Sequence, residues 1–229
     1  MAERPEIDPS RPPARLYLVA PPAEDASALA RELDRALGAE DVAVGVKVAA
    51  VLLRLPSAAE PVVIRHVETI APVVQQKGIA LLLDGHAGLV SRTGADGAHL
   101  TGIAAFSAAV GGLKPDRIVG AGGLATRHDA MLAAERGADY VMFGEPASGD
   151  DNAGGRPPFA AIVDRIAWWA EVFEPPCVGH AESLEDVAAL TAAGADFVAL
   201  GTFVFTDPRG ASAMIRAAAE RLSASEPVK

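Results

Sequence analysis

Eight short runs rich in valine, isoleucine and leucine, eight longer alanine-rich segments between them, and a Gly-Ala-Asp unit that recurs three times predict an α/β fold, a single (β/α)8 TIM barrel. The short runs are continuous and do not alternate between apolar and polar, which is the pattern of parallel strands buried on both faces. A chain of 229 residues suffices for one such domain, and eight βα units suit a closed barrel better than an open doubly wound sheet.

In chain order, residues 1–14 form a polar, proline-rich N-terminal extension, 15–223 the barrel domain and 224–229 a C-terminal tail. The strand expectations are Arg15–Ala20, Val48–Leu53, Ile79–Asp84, Gly97–Leu100, Arg117–Gly120, Tyr140–Gly144, Cys177–Gly179 and Phe197–Gly201. Helices are expected over 24–37, 58–77, 86–93, 103–111, 126–136, 158–173, 183–193 and 209–223. Pro56 and Pro61 bracket the loop and helix start after strand two, and Ser183, with Asp186 three residues on, has the pattern of a helix N-cap. The units Gly94-Ala95-Asp96, Gly137-Ala138-Asp139 and Gly194-Ala195-Asp196 each end a helix on a glycine suited to the left-handed C-cap and open an even-numbered strand. They are a folding device and carry no information on substrate. The composition of Glu145–Pro158, with Ser-Gly-Asp-Asp-Asn-Ala-Gly-Gly inside it, predicts a flexible loop on the face where barrels carry their chemistry.

Thirty acidic against twenty basic side chains give a net charge of −10, which repels phosphate backbones and anionic membranes. No nucleic-acid or membrane partner is expected. The one cysteine, Cys177, leaves no intrachain disulfide and no cysteine zinc cage. With no apolar targeting segment and no run long enough to span a bilayer, the expectation is a cytoplasmic protein. Trp168-Trp169 in one helix suggests one ring against the barrel and another on a partner subunit, so a homo-oligomer is possible.

Functional residues are sought at the strand ends. Backbone N–H groups after strands seven and eight are a common barrel phosphate site, offered here by Gly179-His180-Ala181-Glu182-Ser183 and Gly201-Thr202, and a phosphorylated small molecule is the expected ligand. Thr202 suits donation to phosphate as well as it suits closing its own strand end. Gly122-Gly123 permits close approach of a ligand to the backbone, or a simple turn. His86, His128 and His180 fall near the ends of strands three, five and seven, where an imidazole can transfer protons near neutral pH; His128 falls in the first turn of a helix. Glu145 is a candidate base or anchor for a ligand amine, His99 is equally suited to packing and to lining a ligand, and His66 lies mid-helix.

Two segments are the most telling: Ala95-Asp96-Gly97-Ala98-His99-Leu100, and Gly137-Ala138-Asp139-Tyr140-Val141-Met142-Phe143-Gly144. With Leu81-Leu82-Leu83-Asp84, Ile118-Val119-Gly120 and Gly194-Ala195-Asp196 in order, the chain from about Leu16 to Val204 resembles the thiamine phosphate synthase superfamily, which includes the thiazole tautomerases. The resemblance implies a transferase of thiamine biosynthesis. A pyrimidine methyl pyrophosphate loses pyrophosphate with Mg²⁺ assistance, and the ring nitrogen of a thiazole phosphate captures the cation. By that resemblance Arg54 contacts pyrophosphate, Asp84 stands in as the magnesium group, and the loops after strands seven and eight hold the thiazole phosphate.

Several positions depart from the family pattern. Gln-x-Arg-x-Lys after strand two becomes Leu52-Leu53-Arg54-Leu55-Pro56, and the magnesium carboxylate after strand three falls on Gly85. Thr101-Gly102-Ile103-Ala104-Ala105 holds no carboxylate for the second ligand, and Gly-x-Ser-x-His becomes Gly120-Ala121-Gly122-Gly123-Leu124. The Thr-x-x-Lys segment after strand six is missing, and the Gly-Gly turn after strand seven becomes His180-Ala181. These departures leave two alternatives open: a tautomerase-like proton-transfer enzyme using His86, His180 or Glu145, and a noncatalytic barrel that binds a phosphorylated ligand.

Overall fold

A computed structural model describes residues 12–38, 48–145 and 156–225. Most of the N-terminal extension, the Ser148–Gly155 stretch and the last four residues lie outside the described residues. Eight strands form a closed parallel barrel: β1 (Arg15–Ala20), β2 (Val48–Leu53), β3 (Ala80–Asp84), β4 (Gly97–Thr101), β5 (Ile118–Gly122), β6 (Tyr140–Phe143), β7 (Cys177–Ala181) and β8 (Phe197–Leu200). Each pairs with the next, and β8 pairs back with β1. The helices around it are α1 (Ala26–Leu37), α2 (Glu60–Gln75), α3 (Val90–Thr93), α4 (Ile103–Leu113), α5 (Arg127–Glu135), α6 (Phe159–Val172), α7 (Leu184–Ala192), α8 (Phe203–Thr206) and α9 (Ala211–Ser225). The predicted single (β/α)8 barrel is the fold of the chain.

Local differences from the sequence expectation bear on the site. β5 runs on through Gly122 and β7 through Ala181, so Gly122, His180 and Ala181 are strand residues with fixed directions and not loop residues. The expected helix over 86–93 is a 3-10 turn (Ala87–Leu89) followed by the single turn α3, with Gly88, a poor helix former, at its start. One extra turn, α8, intervenes after β8 and closes that side of the barrel mouth before the final helix.

The repeat has a physical role. Asp96, Asp139 and Asp196 accept the backbone N–H of Leu81, Val119 and Cys177, each at 2.7 Å. In return, each aspartate's own N–H donates to the carbonyl of that same residue. The residue that leads into β4, β6 and β8 therefore grips the start of the odd strand before it, on the face opposite the chemistry. The preceding Gly94, Gly137 and Gly194 hold φ of 71°, 91° and 93°, the left-handed C-cap region.

The larger apolar core lies between sheet and helices. Trp169 is fully buried there against Phe143 and Phe173 and donates Nε1–H to Pro175 O at 2.7 Å. A smaller cluster fills the barrel itself and includes Tyr17, Leu52, Leu82, Tyr140, Met142 and Val178. Because strand side chains alternate with period two, the next inward positions above Leu52, Leu82 and Val178 are Arg54, Asp84 and His180. The barrel core thus hands over directly to a polar mouth.

Candidate active site

At the centre of the mouth a chain of four buried side chains runs down into the barrel. Glu145, just past β6, accepts from His99 Nε2 on β4 at 2.8 Å. His99 Nδ1 lies 2.9 Å from Tyr140 OH, and Tyr140 OH lies 2.9 Å from Tyr17 OH. Two glycines make the arrangement possible. A Cβ at Gly120 would overlap the Tyr140 ring, and a Cβ at Gly122 would overlap both carboxylate oxygens of Glu145 and His99 Nε2. Burial works against a charged His99, but the Glu145 carboxylate outweighs it by charge and hydrogen bond, with help from Asp84, so the His99 pKa is raised. Burial pushes both phenols well above their ordinary value, so Tyr17 and Tyr140 are neutral hydroxyls at any physiological pH.

Toward β2, β7 and β8 the mouth opens into a cavity of about 360 Å³ lined by Arg54, His180, Glu182, Gly201, Thr202 and Phe203, among others. Arg54 Nε lies 3.4 Å from Asp84 Oδ2, and both side chains are about a quarter exposed, so the pair is a partly solvated one. Burial pushes His180 down to about 4, opposed by the Glu145 carboxylate and reinforced by Arg156, Arg54 and His99, which keeps its ring neutral at pH 7. Two buried polar atoms in this region have no protein partner: Glu145 Oε1 and His180 Nδ1. Such atoms are costly unless a ligand satisfies them, and they are found at working sites.

The structure therefore brings Arg54, Asp84, His99, Gly122, Glu145, His180, Gly201 and Thr202 to one mouth. Gly123, at φ 58°, turns the chain beside Glu145, and Ala181 is buried at the end of β7. Some of the backbone donors expected there are engaged within the protein: Gly201 N–H donates to Ala181 O at 3.0 Å and Glu182 N–H to Asp186 Oδ2 at 2.9 Å. Ser183 caps α7, accepting from Asp186 N–H. His86 stands on the exposed rim, where its Nδ1–H donates to Asp84 O at 2.6 Å. His128 is exposed in the first turn of α5, and His66 sits on the carbonyls of Val62 and Glu24.

Three participants escape a sequence reading. Tyr17 and Tyr140 are hidden in apolar strand runs, although their inward register with His99 is a usable signal. Arg156 emerges from a glycine- and proline-rich stretch and knits the mouth together, donating to Gly144 O (2.6 Å), His180 O (2.8 Å) and Glu182 Oε2 (3.1 Å). Contacts so distant in sequence leave no local pattern.

The donor set does not fit a magnesium ion held by the protein. Asp84 is engaged by Arg54, Gly85 and Thr101 supply no carboxylate beside it, and Glu145 gives one oxygen to His99. Among the described residues no three His, Cys, Asp or Glu side chains are grouped for a metal.

Three comparisons place the chain. The Pyrococcus furiosus protein titled thiamine phosphate pyrophosphorylase superposes with a TM-score of 0.69 at 16% identity, covering 92% of this chain and 96% of that one, a likeness of fold. Thiamine-phosphate synthase of Rhodospirillum centenum is 38% identical over 208 residues, 88% of this chain and 94% of that protein. Thiamine-phosphate synthase of Hyphomonas neptunium is 34% identical over 214 residues, 90% of this chain and 93% of that protein. Residues 16–204, which carry all eight strands but for the first residue of β1 and every member of the mouth described above, match the thiamine monophosphate synthase family, and the chain belongs to it.

Proposed function

We propose that the protein is a transferase of thiamine biosynthesis that joins a pyrimidine methyl pyrophosphate to a thiazole phosphate and releases pyrophosphate. The observation that carries this reading is Arg54, a guanidinium on the wall of a cavity of about 360 Å³ backed by the ends of β7 and β8, in a chain of this family. The bond from the pyrimidine methylene carbon to the diphosphate oxygen breaks, and the electron pair leaves with the diphosphate. Arg54 meets that developing charge as a fixed cation. The thiazole nitrogen then supplies the pair for the new carbon–nitrogen bond. In this reading Thr202, Gly201 and Ala181 border the thiazole phosphate, and Asp84 orients Arg54 through their pairing. His99, Gly122 and Gly123 shape the inner wall, and His86 and His180 flank the reacting groups.

Family membership over nearly the whole chain and the names of the relatives favour this activity over a tautomerase-like or noncatalytic barrel. The resemblance carries Mg²⁺ as an expectation. Since the residues do not form a protein-held site, no step is assigned to the ion, and a Mg²⁺ titration of the reaction measures what it contributes. The described helices include none long and apolar enough to cross a membrane. A cytoplasmic location and a homo-oligomer through the α6 face around Trp168 belong to the same proposal, the second measurable by light scattering.

The test is pyrophosphate release by the purified protein given both substrates, run beside Arg54→Ala. Release that the variant loses by about 100-fold or more supports the transferase. No release above a no-protein control, from folded material, overturns it.

A further inference from the structure

We propose that Glu145, held in place by His99, selects the pyrimidine by accepting a hydrogen bond from its exocyclic amino group. The inference rests on the transferase reading and assigns the heterocycle end of the substrate, whereas Arg54 faces the phosphate end.

Glu145 is held on one side only. Oε2 takes the His99 Nε2 bond at 2.8 Å, while Oε1 is buried without a partner, and 9% of the side chain is exposed at the mouth. A lone carboxylate oxygen shut away from water is an acceptor awaiting a donor. The position is built and not incidental. Gly122 lies beneath the carboxylate with no room for a Cβ, and Gly123, half-exposed, lies beside Oε1. His99 is fixed in turn by the hydroxyl of Tyr140 and its stacked ring, with ring centroids 5.7 Å apart. The carboxylate thus has a steady orientation before any ligand arrives, which is the condition for selectivity at low entropic cost.

The chemistry of the ligand follows from the surroundings. An acceptor excludes phosphate and carboxylate groups, which sends the anionic end of a ligand toward Arg54 instead. Oε2 already accepts from the His99 imidazole, so Oε1 is the oxygen left to take a neutral N–H. An aminopyrimidine supplies such an N–H on a flat ring. Arg156 bonds the carbonyl of Gly144, the residue before Glu145, together with His180 O and Glu182 of the cavity wall, which ties this acceptor to the same mouth.

The experiment measures calorimetric binding of an aminopyrimidine alcohol and of its analogue with hydrogen in place of the amino group, to wild type, Glu145→Met and Glu145→Gln. Wild type is expected to favour the amino compound by about tenfold to hundredfold, the range for a hydrogen bond to a charged group. Glu145→Met is expected to bind both equally, and Glu145→Gln, which keeps a neutral acceptor, to retain part of the preference. An undiminished preference in Glu145→Met overturns the proposal, as does equal binding of the two compounds by wild type, a result that stands even if the variants do not fold. Pyrophosphate release without discrimination sinks this inference and leaves the transferase intact. Discrimination without release sinks the transferase and leaves an amino-selective binding site.

Discussion

Glu145 and His99 meet at 2.8 Å over Gly122, where a Cβ would overlap both carboxylate oxygens and His99 Nε2. The strand β5 thereby contributes a side chain's absence to the site. The carboxylate comes from the end of β6, two strands round the barrel from β4 and 46 residues along the chain from His99. Placing the two in contact requires that the intervening strand be bare.

Gly122→Ala is therefore expected to push the pair apart. Overpacking of this kind costs about 1–3 kcal/mol, and thermal unfolding should register it. Pyrophosphate release should fall at least about tenfold in the folded variant, because the pocket wall moves. An alanine variant with unaltered stability and rate contradicts the packing described.

The two buried histidines make stability pH-dependent in opposite senses. His99 has a raised pKa in the fold, so its contribution is complete below the unfolded value of 6.5 and is lost as pH climbs through the folded value. His180 is pushed down to about 4, so the unfolded chain binds the extra proton between 6.5 and about 4, and stability falls as pH drops through that window. The effect of His180 is about 3 kcal/mol at most. Urea unfolding across pH should show a maximum near the middle, and His180→Gln should remove the acid limb attributable to this residue.

The hydroxyl chain predicts an order of severity. Tyr140→Phe leaves both His99 Nδ1 and Tyr17 OH buried without a partner, whereas Tyr17→Phe leaves Tyr140 still bonded to His99. The first should cost about 1–3 kcal/mol and the second less, as measured by chemical denaturation. Equal losses would mean that the ring packing, and not the hydroxyl chain, matters.

On the opposite face, Asp139→Ala removes the grip on Val119 N–H and the ion pair to Lys114. A loss of about 2 kcal/mol in stability is expected, with the turnover of the folded protein unchanged. A selective fall in turnover would show that the lower staple communicates with the mouth.

The sequence by itself determined the barrel, because buried parallel strands and their helices are local patterns: continuous apolar runs, capped helix ends and a thrice-repeated Gly-Ala-Asp. It placed β1 and β2 to the residue, and it marked Arg54, Asp84, His99, Glu145 and His180 as polar groups at strand ends. It also carried the family resemblance, whose scaffold motifs proved to be strand-stapling devices. What it left open was which polar groups meet. Gly122 reads as half of a turn until the register of β5 puts it under a carboxylate. Tyr17 and Tyr140 read as core until strand alternation turns their hydroxyls inward to His99. Arg156 reads as a loop residue until it bridges the ends of β6 and β7. Only the tertiary structure decided these, because a closed barrel brings residues more than a hundred positions apart, such as Tyr17 and Tyr140, within hydrogen-bonding distance. Period-two alternation fixes whether each side chain faces the mouth or the helices, and closure fixes its neighbours.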